Sequence, residues 1–194
     1  MIRTISFLPA LFTLFTSFIS MISFITIAYS STDVIKKAEE DAMKLVNDTA
    51  IEFSSSSQNV IEKINNGIHP YKNKDNAEAY VFIYDENINI VAHPKNELVN
   101  KNFKDKTDIC GCKFRNEIVA RALNKNFGDS GCREINETSK KDNWVYYIYN
   151  NPQSKKLEYK KTFFKSVKGI DGKEYVIASG IYLQEIRGCP KNNK

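Results

Sequence analysis

Histidine is nearly missing from this chain: among 194 residues only His69 and His93 occur, each directly before a proline. Catalytic constellations of the Cys–His or Ser–His kind therefore have few bases to draw on. No nucleophile elbow and no glycine-rich phosphate loop is present either. An enzyme is not expected. Also missing are Cys-x-x-Cys-His, which excludes covalent haem, and a pair of Cys-x-x-Cys knuckles, which argues against a zinc site. No cofactor and no metal is expected. Arginine is never clustered, and the net charge of +5 comes largely from lysines scattered among asparagines, as over residues 100–106 and 191–194. A nucleic-acid partner normally announces itself as a dense basic stripe, so none is expected.

Charge is also missing from the start of the chain. Arg3 is the only charged residue before Asp33, and Ile5 to Ala28 is an apolar run ending in Ala28-Tyr29-Ser30. Small residues at Ala28 and Ser30 fit a signal-peptidase site, so residues 1–30 read as an export signal. The run is also long enough to cross a ~30 Å hydrocarbon core, which keeps an uncleaved membrane anchor as the alternative. Either way the remainder lies outside the cytoplasm, periplasmic or secreted.

What is present fits one globular core. The hydrophobic fraction of 42% and charged fraction of 26% are ordinary, and the length allows one good-sized domain plus an appendage. All four cysteines, Cys110, Cys112, Cys132 and Cys189, fall in the exported part and read as two disulfides. Cys110 and Cys112 are badly placed to pair with each other, so one is expected to reach Cys132 and the other Cys189. A redox role for Cys110 and Cys112 is the nearest catalytic idea, on a less specific signature than Cys-x-x-Cys.

Residues 31–68 read as a long helix. Val34, Ala38, Ala42, Leu45, Val46, Thr49 and Phe53 recur at spacings of three and four, Ser54 to Ser57 mark a kink, and Gly67 with Pro70 provides the stop. Ala79 to Tyr84 and Ile88 to Ala92 form a hairpin that ends at His93-Pro94. Lys113 to Phe127 is a second helix, stopped by Gly128. Three strands close the chain, Trp144 to Tyr149, Leu157 to Val167 and Tyr175 to Tyr182, separated by turn-rich segments. Strands joined by hairpins and flanked by helices, with no βαβ alternation, predict an α+β fold. Its sheet is antiparallel, about five strands, with the long N-terminal helix packed on it. Residues 69–188 would form the sheet domain and 189–194 a tail.

In this order, Ala92-His93-Pro94, Trp144-x-x-Tyr147-x-Tyr149 leading into Asn151-Pro152, and Gly180-Ile181-Tyr182 resemble the single Cache domains, PAS-like extracytoplasmic sensor modules. The resemblance spans roughly residues 31–186. It implies a small pocket between the sheet and its covering loops and helix, used in relatives for small carboxylates, amino acids or similar metabolites. Mapped onto this chain, the family's histidine falls on His93, its aromatic pair on Trp144 and Tyr147, and its lysine on Lys160. Two positions depart from the pattern: Tyr159 stands where many relatives have proline, and Phe163 where they often have tyrosine, removing a hydroxyl. Cys110-Gly111-Cys112 is also outside the general pattern.

A charged ligand taken out of water must be paired. Lys160 can supply the cation, His93 and Tyr147 can donate hydrogen bonds, and Trp144 can wall the site. Arg115, on the first turn of the second helix, is a further candidate. Read without the resemblance, Trp144 is a core aromatic, Lys160 a solvated strand residue and His93 a strand cap. The function expected is small-molecule binding or sensing without an output domain of its own, acting through a membrane signalling partner, through dimerisation of the long helix, or as a stand-alone binding protein. The alternative is a secreted interaction or effector protein whose pocket is vestigial.

Overall fold

The computed structural model describes residues 13–74, 76–132, 142–185 and 189, with side chains from residue 32 and excluding Gln184 and Glu185. The expected export signal at residues 1–30 and the tail beyond Cys189 lie outside the described side chains. The chain divides into two compact units, residues 1–38 and residues 39–194. The first is helical over its described residues; everything below concerns the second.

Helix α1 (Thr13–Asn65) enters the second unit at Glu39. There Ala42, Val46, Thr49, Ala50 and Phe53 are buried at helical spacing, as the sequence period requires. The serine run kinks the helix: Ser56 is non-helical, while Ser54, Ser55 and Ser57 donate their hydroxyls to the carbonyls of Ile51, Glu52 and Phe53. Val60 and Ile64 then resume the buried face. The helix ends three residues before the expected Ile68, because Gly67 takes a left-handed conformation (φ 62°). Its N–H reaches Ile64 O and the next N–H reaches Lys63 O, which satisfies carbonyls the helix leaves open.

Five strands follow: β1 (Val81–Asp85), β2 (Ile90–Ala92), β3 (Trp144–Asn150), β4 (Leu157–Lys168) and β5 (Glu174–Glu185). They form one sheet in the order β2-β1-β5-β4-β3, antiparallel at every pairing. This is the α+β architecture expected. Strand alternation sends side chains to two faces. One face packs Val81, Ile83 and Ile177 against Val46, Ala50, Phe53, Val60 and Ile64 of α1. The other packs Phe82, Tyr84, Val145, Tyr147, Phe164, Val176 and Ala178 against α2 (Phe114–Leu123) and its loops. Helix α2 is shorter than the expected Lys113 to Phe127, because Asn124 turns left-handed (φ 51°), a conformation asparagine tolerates. Among the described residues no helix is long and apolar enough to cross a membrane.

The segment before α2 is stapled. Cys110 is bonded to Cys189 and Cys112 to Cys132, within the pattern the spacing allows. Asp108 anchors the same turn: one carboxylate oxygen accepts the N–H groups of Cys110 and Cys112, and the other accepts Ile148 N–H on β3.

Candidate functional site

Alternation along β4 decides which side chains reach the α2 face. Glu158, Lys160, Thr162 and Phe164 are buried there, so Lys160 points into the protein rather than into solvent. It is only 1% exposed. In register with it stand Tyr147 on β3 and Tyr182 on β5. Its stem passes Gly180, where a Cβ would lie 2.7 Å from Lys160 Cε and 2.5 Å from Thr162 Oγ1. Glycine is required there by this close approach. The Lys160 Nζ donates to Tyr80 Oη at 2.8 Å and lies 4.2 to 5.7 Å from the ring centroids of Tyr80, Tyr182, Phe82 and Tyr149. Cation–π contacts of this kind offset part of the cost of burying the charge.

Arg115 approaches from α2. Its guanidinium lies 4.1 Å from the Phe114 ring centroid and 4.8 Å from that of Phe103, and its Nε is buried without a hydrogen-bond partner. Phe114 in turn stacks flat on Tyr147, centroids 3.8 Å apart. Among the described residues neither Lys160 nor Arg115 forms an ion pair with a carboxylate. The nearest acid in effect on Lys160 is Glu78, whose carboxylate accepts Asn151 Nδ2, the same amide that also donates to Glu158.

His93 follows β2. Its N–H donates to Asn65 Oδ1 at the end of α1, and its Nδ1 accepts Lys95 N–H, so the ring proton is assigned to Nε2. The ring packs on Tyr80 and Phe82. Burial first, and then the charge of Lys160, push its pKa down to about 3, so His93 is a neutral imidazole. Burial likewise pushes Lys160 down to about 7, Glu78 opposing and Arg115 reinforcing the shift. The phenols of Tyr80 and Tyr147 are held well above their usual value by burial, and Tyr84 is pushed up to about 12.

His93, Arg115, Tyr147 and Lys160 thus meet at one cleft, walled by Tyr80, Phe82, Tyr84, Ile90, Leu98, Phe114 and Tyr149. The cleft is narrow, with a cavity volume of about 10 Å³, enough for one water. Tyr147 contributes its ring to the wall; its hydroxyl is hydrogen-bonded to Thr162 Oγ1 at 2.9 Å.

Trp144 is not in the cleft. It lies an odd number of residues from Tyr147 on the same strand, and so on the opposite face, against Phe163 with Lys161 Nζ 4.4 Å from its ring centroid. The family departures at Tyr159 and Phe163 share that face, since both differ from Lys160 by an odd number. The hydroxyl absent at Phe163 is therefore not one this cleft has lost. Sequence reasoning missed Tyr80, Phe82 and Tyr84, whose alternation in Tyr80-Val81-Phe82-Ile83-Tyr84 marks a common face, and it missed Thr162 and Gly180 as the neighbours that shape the lysine's path.

The single Cache domain 2 family model matches residues 20–189. Among solved structures, the chain is similar to a methyl-accepting chemotaxis protein from Vibrio parahaemolyticus, at 15% identity and TM-score 0.55 over 82% of this chain and 97% of that one. It is also similar to a Cache chemosensory domain described for its carboxylic acid recognition, at 17% identity and TM-score 0.51 over 79% of this chain and 98% of that one. No curated protein matches the chain.

Proposed function

The chain belongs to the single Cache domain 2 family, and we propose that it is the binding module of an extracytoplasmic sensor for a small carboxylate. The observation that carries this reading is the pairing of two buried cations, Lys160 and Arg115, on one aromatic cleft whose described lining holds no carboxylate. A buried charge is expensive unless paired. An anion entering between Lys160 and Arg115 would supply the missing partner, while the aromatic walls cover a short carbon chain. The domain of similar fold described for carboxylic acid recognition supports the same class. An amino acid fits less well, because its ammonium would meet two cations and no carboxylate on the described walls.

Placement outside the cytoplasm rests on the apolar leader and on the two disulfides, which persist in oxidising compartments. Entry requires opening, since the cleft as it stands admits about one water. Occupancy would then be passed to a membrane signalling partner.

The test is thermal unfolding with acetate, propionate, pyruvate, succinate and alanine. A ligand at a hundredfold excess over its Kd stabilises by about 2.7 kcal/mol. At least one non-aminated carboxylate is expected to raise Tm, alanine to do so less, and Arg115→Met to abolish the rise. A folded protein indifferent to every carboxylate removes this reading and leaves the protein-interaction alternative.

A further inference from the structure

Lys160 has an environment that a charge-pairing role does not require. It is almost fully enclosed, its head lies against aromatic rings, and among the described residues its Nζ donates to a phenol instead of a carboxylate. A second cation, Arg115, lines the same cleft. Desolvation together with a neighbouring positive charge is the setting that leaves a lysine amine unprotonated and nucleophilic. The Arg115 guanidinium, with its planar fork of N–H donors, offers an anion a second anchor beside Lys160.

We infer that Lys160 is a Schiff-base lysine: a small 2-oxo carboxylate in the cleft is held through its carboxylate by Arg115 and captured at its carbonyl carbon by the Lys160 amine. This rests on the carboxylate reading and narrows it to ligands with a carbonyl beside the carboxylate. The Nζ lone pair forms the N–C bond as the carbonyl π bond opens, and one Nζ proton passes to the carbonyl oxygen to give a neutral carbinolamine. The remaining Nζ proton is then transferred to that hydroxyl, which leaves as water as the nitrogen lone pair forms C=N. Amine and carbonyl are exchanged for imine and water, with no oxidant or reductant. Tyr80 Oη, 2.8 Å from Nζ, is placed to relay those protons, and burial keeps it a neutral phenol. The shift of Lys160 to about 7 supports the same state, because a substantial fraction of free amine then exists at neutral pH. Gly180 fits this role, since any side chain there would meet the lysine stem.

Pyruvate with sodium cyanoborohydride is the probe, read by intact mass and peptide mapping. One reduced adduct is expected, mapped to Lys160, formed on the order of tenfold or more faster than at any exposed lysine, whose free-amine fraction at neutral pH is far smaller. Propionate, which has no carbonyl, should suppress it by competition. Lys160→Met should lose the adduct, while Lys161→Arg, changed on the opposite face, should keep it. Mapping on the unaltered protein decides the matter even if Lys160→Met does not fold. Labelling spread over exposed lysines, or none at Lys160, overturns the inference. A Tm rise with propionate but no pyruvate adduct overturns the imine and leaves carboxylate binding standing; no response to either overturns both.

Discussion

The two faces of the sheet are built to opposite ends. Against α1 the contacts are apolar and close, with Val46, Phe53, Val60, Ile64, Val81, Ile83 and Ile177 all fully buried. Against α2 a buried lysine, arginine and histidine and four tyrosine rings, Tyr149 only partly buried, surround a cleft. The first face lowers the free energy of folding by removing apolar surface from water. The second gives up some of that stability to keep charges dry and unpaired by any described carboxylate. The difference teaches where binding energy is stored: a ligand that pairs those charges recovers what folding gave up.

The largest effect expected is on the α1 face. Phe53→Ala should cost about 3–5 kcal/mol, as truncation of a buried aromatic does, and should lower the denaturation midpoint without changing ligand preference. Altered preference would mean the faces are not independent.

Acid should attack the other face. Folded His93 binds a proton only near pH 3 and the unfolded residue near 6.5, so between these the unfolded state holds more protons and stability rises with pH. The stability of the native protein relative to His93→Gln should therefore fall on acidification from pH 6.5 to 3, by on the order of a few kcal/mol. Parallel curves for the two proteins would show that His93 is not held neutral.

Lys160→Met should move stability the other way. Replacing a buried cation by an apolar chain of similar length should stabilise the ligand-free protein by about 1–3 kcal/mol while ligand response is lost. The same linkage gives its pH signature. Lys160 releases its proton near 7 when folded and near 10.5 when unfolded, so its penalty is full below pH 7 and fades towards pH 10.5. The gain from Lys160→Met should shrink over that window; a gain independent of pH would mean the lysine stays charged in the fold. Smallest of all, Trp144→Phe should cost less than about 1.5 kcal/mol and leave carboxylate response intact. A lost response would place Trp144 in the site despite its face.

Much of this contrast was legible in the chain. The helical period of Ala42, Val46, Thr49 and Phe53 located the α1 face, and Gly67 its end. The five strands and the antiparallel pairs β1–β2, β3–β4 and β4–β5 followed from hairpin turns. Lys160 and His93 were legible through their motif context, whereas the exclusion of Trp144 needed only parity: residues 144 and 147 of one strand cannot share a face. Lys160 and Tyr80 are a different matter. They lie 80 residues apart, and their hydrogen bond depends on β5 being inserted between β1 and β4, an arrangement that local spacing does not encode. The end of α2 at Asn124 was missed because the apolar period runs on past a residue that tolerates the left-handed turn.

Asp108 has a consequence beyond holding the stapled turn. β3 lies at the rim of the sheet, and the outward N–H of Ile148 is the kind of open donor onto which a foreign strand can add. One carboxylate fills that position with a fixed acceptor while its second oxygen is tied to the Cys110–Cys112 turn, itself bonded to Cys132 and Cys189. At this point of the rim the donor is thereby filled by the protein's own covalently fastened loop and is not open to a foreign strand.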